Sequence, residues 1–241
     1  MRERLRELAR ADPRVVASAA VGGTVTGASD RWSDLDLTFA VAEGSSLPDV
    51  LKDWTRTVVH DFDGIHLFDL HHGSTIYRVF LLSGCLQVDL SFAPAADFGA
   101  IGPRFELLFG SAVEKAHAPA PSVSEIFGLA VHHVVRARYS IERGRRWQAE
   151  LWISAARDLA LELACLRPGL DASYGRELDE LPAHVVVGFE ETLVRPLDRD
   201  ALLCALAGTI TILLRESAGA VDAVAQVEPE LRELVRSSFT S

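Results

Sequence analysis

The 241-residue chain contains 49% hydrophobic and 24% charged residues, a composition typical of folded globular proteins and far from that of disordered chains. Its formal net charge of -10 argues against a general attraction to nucleic acid phosphates and favours a small or cationic substrate. Three widely spaced cysteines and the lack of a long apolar run predict a cytoplasmic protein with free thiols and no membrane span.

The first half of the chain has the pattern of an α/β domain. Short apolar and β-branched runs that end at glycine or proline are typical of buried strands, and two other segments have helical spacing. In chain order we expect a helix over 2–11, strands over 14–21 and 35–41, a helix over 50–60, and strands over 65–70, 75–82 and 86–92. The short connections 71–74 and 83–84 favour hairpins, which predicts a mixed sheet with flanking helices.

The second half of the chain changes to long helical periodicity with few strand signals. We expect helices over 122–142, 147–166, 183–193, 198–217 and 229–237. The proline-containing stretch 116–122 breaks both helix and sheet and is the best candidate for a boundary. The predicted fold class is therefore α+β, with a mixed-sheet domain over 1–118 followed by a helical bundle over 119–241.

Two acidic residues open the second predicted strand. The glycine pair Gly22-Gly23 ends the first strand, and the next strand begins with Asp34-Leu35-Asp36. Residues i and i+2 of a strand point to one face, so the two carboxylates lie side by side and repel each other unless a cation separates them. Magnesium takes oxygen ligands and commonly joins carboxylates to substrate phosphates. Backbone N–H groups of glycine can also approach those phosphates, because no side chain is in the way.

A third acid, Asp89, interrupts the apolar strand 86–92 between Val88 and Leu90. A buried charge is costly without a partner, so this side chain should face a metal, a donor or solvent. Taken singly, Asp34 and Asp36 could be a solvated strand start, and Asp89 a lone acid on an edge strand. Their combination with the glycine pair favours a metal site formed by all three acids.

These residues resemble the signature of the nucleotidyltransferase superfamily with the DNA polymerase β-like fold. That signature is a strand, Gly-Gly or Gly-Ser, a spacer, Asp-x-Asp, and a third acid on a later strand. Within the superfamily the chain looks like the small bacterial enzymes that adenylylate aminoglycoside or lincosamide antibiotics and carry a C-terminal helical bundle. The resemblance implies a nucleotidyltransferase-type catalytic domain over 1–118 and an acceptor-binding domain over 119–241.

The resemblance also implies where a nucleoside triphosphate binds. Gly22, Gly23 and Ser33 would lie at the triphosphate of ATP. The family's common Gly-Ser is Gly-Gly in this chain, so the usual serine hydroxyl is missing. Thr24 would be the candidate to replace it.

The same resemblance implies a two-metal reaction. Asp34 and Asp36 would ligate two Mg²⁺ ions, and Asp89 would be a metal ligand, a general base toward the acceptor hydroxyl, or both. An acceptor hydroxyl would attack the α-phosphorus of ATP and release pyrophosphate, so AMP would pass to a small molecule, with an aminoglycoside-like antibiotic as one candidate. No nucleic acid or membrane partner is expected.

The helical half carries a second cluster of polar side chains. Its members are Arg136, Arg138, Tyr139, Arg143, Arg145, Arg146, Trp147, Glu150, Arg157 and Asp158. Arginines on an exposed helix face are usually solvated or paired with acids, and the alternative is that one or two reach ATP phosphates. Glu150, Arg157 and Asp158 lie seven or eight residues apart on one helix and could line an acceptor pocket, although Arg157 and Asp158 could equally form an ion pair.

Two other functions fit the same sequence features. An enzyme that adenylylates a partner protein, of a regulatory or antitoxin-like kind, would need only the first domain, and the helical half argues against it. A non-catalytic nucleotide-binding module would not need to keep all three acids. Both alternatives rank below transfer to a small molecule.

Overall fold

The computed structural model describes residues 1–22, 33–100, 102, 104–115, 121–218 and 222–236. The chain divides into two compact units, Met1–Ala118 and Pro119–Ser241. The first unit contains a sheet with flanking helices and the second is helical, so the predicted α+β class is confirmed.

The first unit is built on one six-stranded mixed sheet. Its elements are α1 (Arg2–Ala11), β1 (Val15–Val21), β2 (Leu35–Val41), α2 (Leu47–Phe62), β3 (Ile65–His72), β4 (Thr75–Leu82), β5 (Leu86–Pro94) and β6 (Phe105–Phe109). The strand order is β3-β4-β5-β2-β1-β6. The β2–β5 pair is parallel and every other neighbouring pair is antiparallel. The two central strands of the sheet are therefore the only parallel pair among the described residues.

Helix α2 packs against the central strands. Ser46 caps the N-terminus of α2 by accepting a hydrogen bond from the Asp49 N–H. Pro48 lies in the first turn, where backbone N–H groups have no partner within the helix, so its missing N–H costs no hydrogen bond. The ring of Trp54 lies 4.7 Å from that of Phe39 on β2 and 5.6 Å from that of Phe92 on β5, measured between centroids. Burying these rings holds α2 on one face of β2 and β5.

The sheet differs from the sequence prediction most clearly at the β3–β4 turn and at β6. The predicted loop 71–74 is too long, because His71 and His72 pair with Ile76 and Thr75 in the β3–β4 ladder. The turn consists of Gly73 and Ser74 alone, and Gly73 adopts the positive φ of 58° that a two-residue hairpin turn needs. Strand β6 was not predicted at all.

The second unit consists of α3 (Val123–Glu142), α4 (Arg146–Leu166), α5 (Ala183–Glu190), α6 (Arg199–Ser217) and α7 (Val224–Arg236). Helix α3 starts at a capping box, in which Ser122 and Glu125 satisfy each other's backbone N–H groups. Small residues such as Ala130, Ala137 and Ala156 are buried between the helices. Helix α7 begins five residues before the predicted start at Pro229, because Val224 is buried on the same helix face as Leu231, two turns earlier.

No helix within the described part of the chain is long and apolar enough to cross a membrane.

Candidate metal and nucleotide site

The pairing of β2 with β5 brings the three acids together. In this parallel ladder Asp36 is directly opposite Asp89, and their neighbours Leu35 and Val88 are also opposite each other. Leu35 and Val88 are buried in the core beneath α2. Because side chains alternate along a strand, the acids point to the other face, and Asp34 joins them two residues before Asp36.

One carboxylate oxygen from each of Asp34, Asp36 and Asp89 lies within 4.8 Å of the others. Two opposite ligands of a single magnesium ion are about 4.2 Å apart, since each Mg–O bond is about 2.1 Å. Two ions that share carboxylates are separated by about 3.5–4 Å. An all-oxygen, triply negative donor set of this span therefore fits one or two Mg²⁺ ions with small side-chain adjustments.

The environment of Asp89 disfavours a free negative charge. Burial raises the pKa of Asp89 above its ordinary value, and the negative charge of Asp34 raises it further. A hydrogen bond from Gln87 opposes this shift, with the Gln87 Nε2 atom 3.1 Å and 3.2 Å from the two carboxylate oxygens. The carboxylate is thus held in place by the Gln87 amide.

Gly22 lies against the acidic cluster at the end of β1. Its φ is 71°, and a Cβ atom at this position would lie 2.6 Å from the Oδ2 atom of Asp36. Its N–H donates to the Arg104 carbonyl at 3.2 Å, so this donor is already used by the backbone next to β6. Glycine at this position therefore leaves room for the Asp36 carboxylate, a role that the sequence pattern did not indicate.

Of the other residues expected at the nucleotide, Ser33 is described by the structure and two are not. Ser33 is partly buried and directly precedes Asp34. Gly23 and Thr24 lie outside the described residues. Gln87 was not predicted, although its position two residues before Asp89 puts both side chains on one face of β5.

The acceptor-binding candidates on α4 do not form one group. Glu150 accepts a hydrogen bond from Ser154 at 2.6 Å, and Arg157 lies 3.8 Å from Asp158, a long distance for an ion pair. Asp158 lines a cavity of about 780 Å³ within the helical unit, and neither Glu150 nor Arg157 lines it.

The cavity beside Asp158 is acidic and apolar. Glu162 and Asp171 also line it, together with leucine side chains such as Leu159 and Leu170. Neither acid was predicted. Glu162 lies on α4 itself, whereas Asp171 follows α4 and is brought to the cavity only by the turn of the chain. Such a lining suits a cationic ligand with some apolar surface.

Some arginines of the cluster form ion pairs with acids, and others do not. Arg138 is buried, and its Nε atom lies 2.8 Å from Glu142, so it is a structural residue of the helical unit. Arg136, Arg143 and Arg145 instead line a separate cavity.

Comparison with known proteins gives no family assignment. No family model matches the chain, and no curated protein matches it. One solved structure that matches is described as an aminoglycoside 6-adenyltransferase from Bacillus subtilis. It is 9% identical, the alignment covers 97% of this chain and 96% of that chain, and the TM-score is 0.42.

Proposed function

We propose that this protein is a nucleotidyltransferase that transfers AMP from ATP to a hydroxyl group of a small molecule, using magnesium bound by Asp34, Asp36 and Asp89. The observation that carries the proposal is the convergence of three carboxylates from two adjacent parallel strands. Carboxylates this close repel one another, and a divalent cation bound between them offsets that repulsion. A nucleoside triphosphate supplies further oxygen ligands and is the usual companion of Mg²⁺ at such a site.

Each acid has a role in this mechanism. Bound magnesium would supply neutralisation of the charge that develops on the attacking and leaving oxygens. Asp34 and Asp36 would hold the ions on one face of the sheet, and Gly22 leaves the space that the Asp36 carboxylate occupies. Asp89 accepts the proton of the acceptor hydroxyl as its oxygen bonds to the α-phosphorus, while the bond to the β-phosphate oxygen breaks and pyrophosphate leaves.

The acceptor in this proposal is a cationic small molecule of the aminoglycoside type, bound by the helical domain over 119–241. Two observations support a cationic acceptor, the net charge of -10 and the cavity lined by Asp158, Glu162 and Asp171. Carboxylates at such a cavity attract ammonium groups and orient them by charge-assisted hydrogen bonds. The leucine lining would contact the apolar faces of the sugar rings.

The test uses ATP labelled at the α-phosphate and a panel of aminoglycosides, lincosamides and uncharged alcohols in the presence of Mg²⁺. We expect a labelled small molecule with the wild-type protein and none with Asp36→Asn, because the variant loses a metal ligand. Asp49→Asn, an exposed acid in the first turn of α2, serves as the matched control and should keep full turnover.

Three outcomes would count against the proposal. Unchanged turnover in Asp36→Asn would reject the metal site. A labelled protein band in cell lysate, with no labelled small molecule, would show a protein acceptor instead. Magnesium-dependent ATP binding without turnover on any acceptor would show a binding module.

A further inference from the structure

The cavity beside the unpaired arginines lies wholly within the helical unit and has a volume of about 380 Å³. Its walls come from α3, from the turn between α3 and α4, and from α4. The residues that matter here are His132, Arg136, Tyr139, Arg143, Arg145 and Trp152. The volume is within the range of small-ligand sites, about 300–1,000 Å³.

Sequence spacing places these side chains on one surface. His132, Arg136, Tyr139 and Arg143 follow one another at intervals of three or four residues, which is one face of α3 and its C-terminal end. Arg145 is the N-terminal cap residue of α4, so the short turn brings its guanidinium back to the same cavity. Three positive charges thus converge at one end of a helical hairpin.

The cavity has no acid to balance these charges. Among the residues that the structure describes, no carboxylate lies within ion-pair distance of Arg136, Arg143 or Arg145. The nearby Glu142 is committed elsewhere, with oxygens 2.8 Å from Arg138 and 2.8 Å from Arg199. The chain as a whole has a net charge of -10, whereas the lining of this cavity is positively charged.

Two of the guanidinium groups are held in position by aromatic rings. The guanidinium carbon of Arg136 lies 5.8 Å from the ring centroid of Trp152, and that of Arg143 lies 5.8 Å from the ring centroid of Tyr139. Such cation–π contacts orient an arginine while leaving its N–H donors free to bind. Arg136 also donates a long hydrogen bond, 3.4 Å, to His132.

From this geometry we propose that the cavity between α3 and α4 is a binding site for a phosphate-bearing anion. The planar guanidinium forks match the oxygens of a phosphate group, and a di- or monophosphate ester would engage two or three of them at once. The site is independent of the proposed function, because the helical unit alone forms it and because it needs no metal ion.

The test is isothermal titration calorimetry with inorganic phosphate, pyrophosphate and AMP, in EDTA and at low salt. EDTA removes metal-mediated binding, and the same titration on Asp36→Asn excludes the acidic cluster. We expect one-to-one binding of at least one of the three anions, unchanged in Asp36→Asn and about tenfold weaker in Arg143→Gln and in Arg136→Gln. The tightest ligand identifies the source of the phosphate group.

Arg232→Gln is the matched control, because Arg232 is also an exposed helical arginine but is paired with Glu228 at 2.7 Å. It should leave the affinity unchanged, and raising the salt from 50 to 300 mM should weaken binding by the wild-type protein. Equal weakening in all three arginine variants would show nonspecific attraction and overturn the proposal. Binding of none of the three anions, or binding unaffected by Arg136 and Arg143, would also overturn it.

Discussion

Replacing Gly22 by alanine tests whether this residue makes room for the Asp36 carboxylate. The added Cβ would lie 2.6 Å from Asp36 Oδ2, compared with an ordinary contact of about 3.5 Å. Either the carboxylate or the end of β1 must therefore move by about 1 Å. Because a displacement of about 1 Å at a reacting centre can reduce a rate about a hundredfold, we expect a large functional loss.

The same substitution also strains the backbone. An L-residue at the positive φ of Gly22, 71°, costs about 1–2 kcal/mol of folding free energy. Gly44 provides the matched control, because its φ is 83° and a Cβ added there meets nothing within 4 Å. Gly44→Ala should therefore lose about the same 1–2 kcal/mol in urea unfolding while the acidic cluster stays intact.

The assay is calorimetric titration of each folded variant with Mg²⁺ and a non-hydrolysable ATP analogue, which requires no knowledge of the acceptor. Gly22→Ala should bind the magnesium–nucleotide complex at least about tenfold more weakly than Gly44→Ala, because a ligand carboxylate must be held within about 0.5 Å. Equal affinities in the two variants would refute the reasoning, since the backbone strain is the same in both.

Three further predictions concern stability. Burial raises the pKa of Asp89, so ionisation of its carboxyl group opposes folding at neutral pH. Asp89→Asn should therefore raise the urea midpoint of metal-free protein at about pH 7. This gain should disappear below about pH 4, where the carboxyl group is protonated in both the folded and the unfolded protein. A midpoint that falls would contradict this. Hydrogen bonding to Arg14 holds the pKa of Asp12 below its ordinary value, so Asp12→Ala should lower the free energy of unfolding by about 2 kcal/mol at pH 7. This loss should shrink as the pH falls below about 4, and a loss that does not change with pH would contradict the prediction. Ser122→Ala removes the cap of α3 and should cost about 1 kcal/mol in thermal unfolding, whereas the neighbouring Ser124→Ala should change stability by less than about 0.5 kcal/mol.

Most of the secondary structure could be predicted because each element carries its own signal. The strands 35–41 and 75–82 were predicted with the bounds that the structure gives. Strand β6, Phe105–Phe109, has only five residues and no alternation, and it forms because β1 offers it an unpaired edge. A partner supplied by a distant part of the chain leaves no mark in a local window of sequence.

For the site, the sequence supplied the residue types but not their arrangement. That Asp34 and Asp36 share a face follows from the period of a strand. That Asp89 joins them depends on the parallel pairing of two strands separated by α2 and a hairpin, which no local rule fixes. The unpaired arginines were grouped by sequence, but only the structure separates Arg138, which pairs with an acid, from those that line a cavity.

The hydrophobic core and the acidic cluster are linked through the register of β2 and β5. A slip of one residue in this pairing would turn Leu35 and Val88 out of the core and put Asp36 or Asp89 in their place. Burying an unpaired carboxylate costs several kcal/mol, and losing two apolar side chains from the core costs about 1.5–3 kcal/mol each. The same apolar side chains that stabilise the sheet therefore also keep Asp36 opposite Asp89, so the register of the core sets the geometry of the acidic cluster.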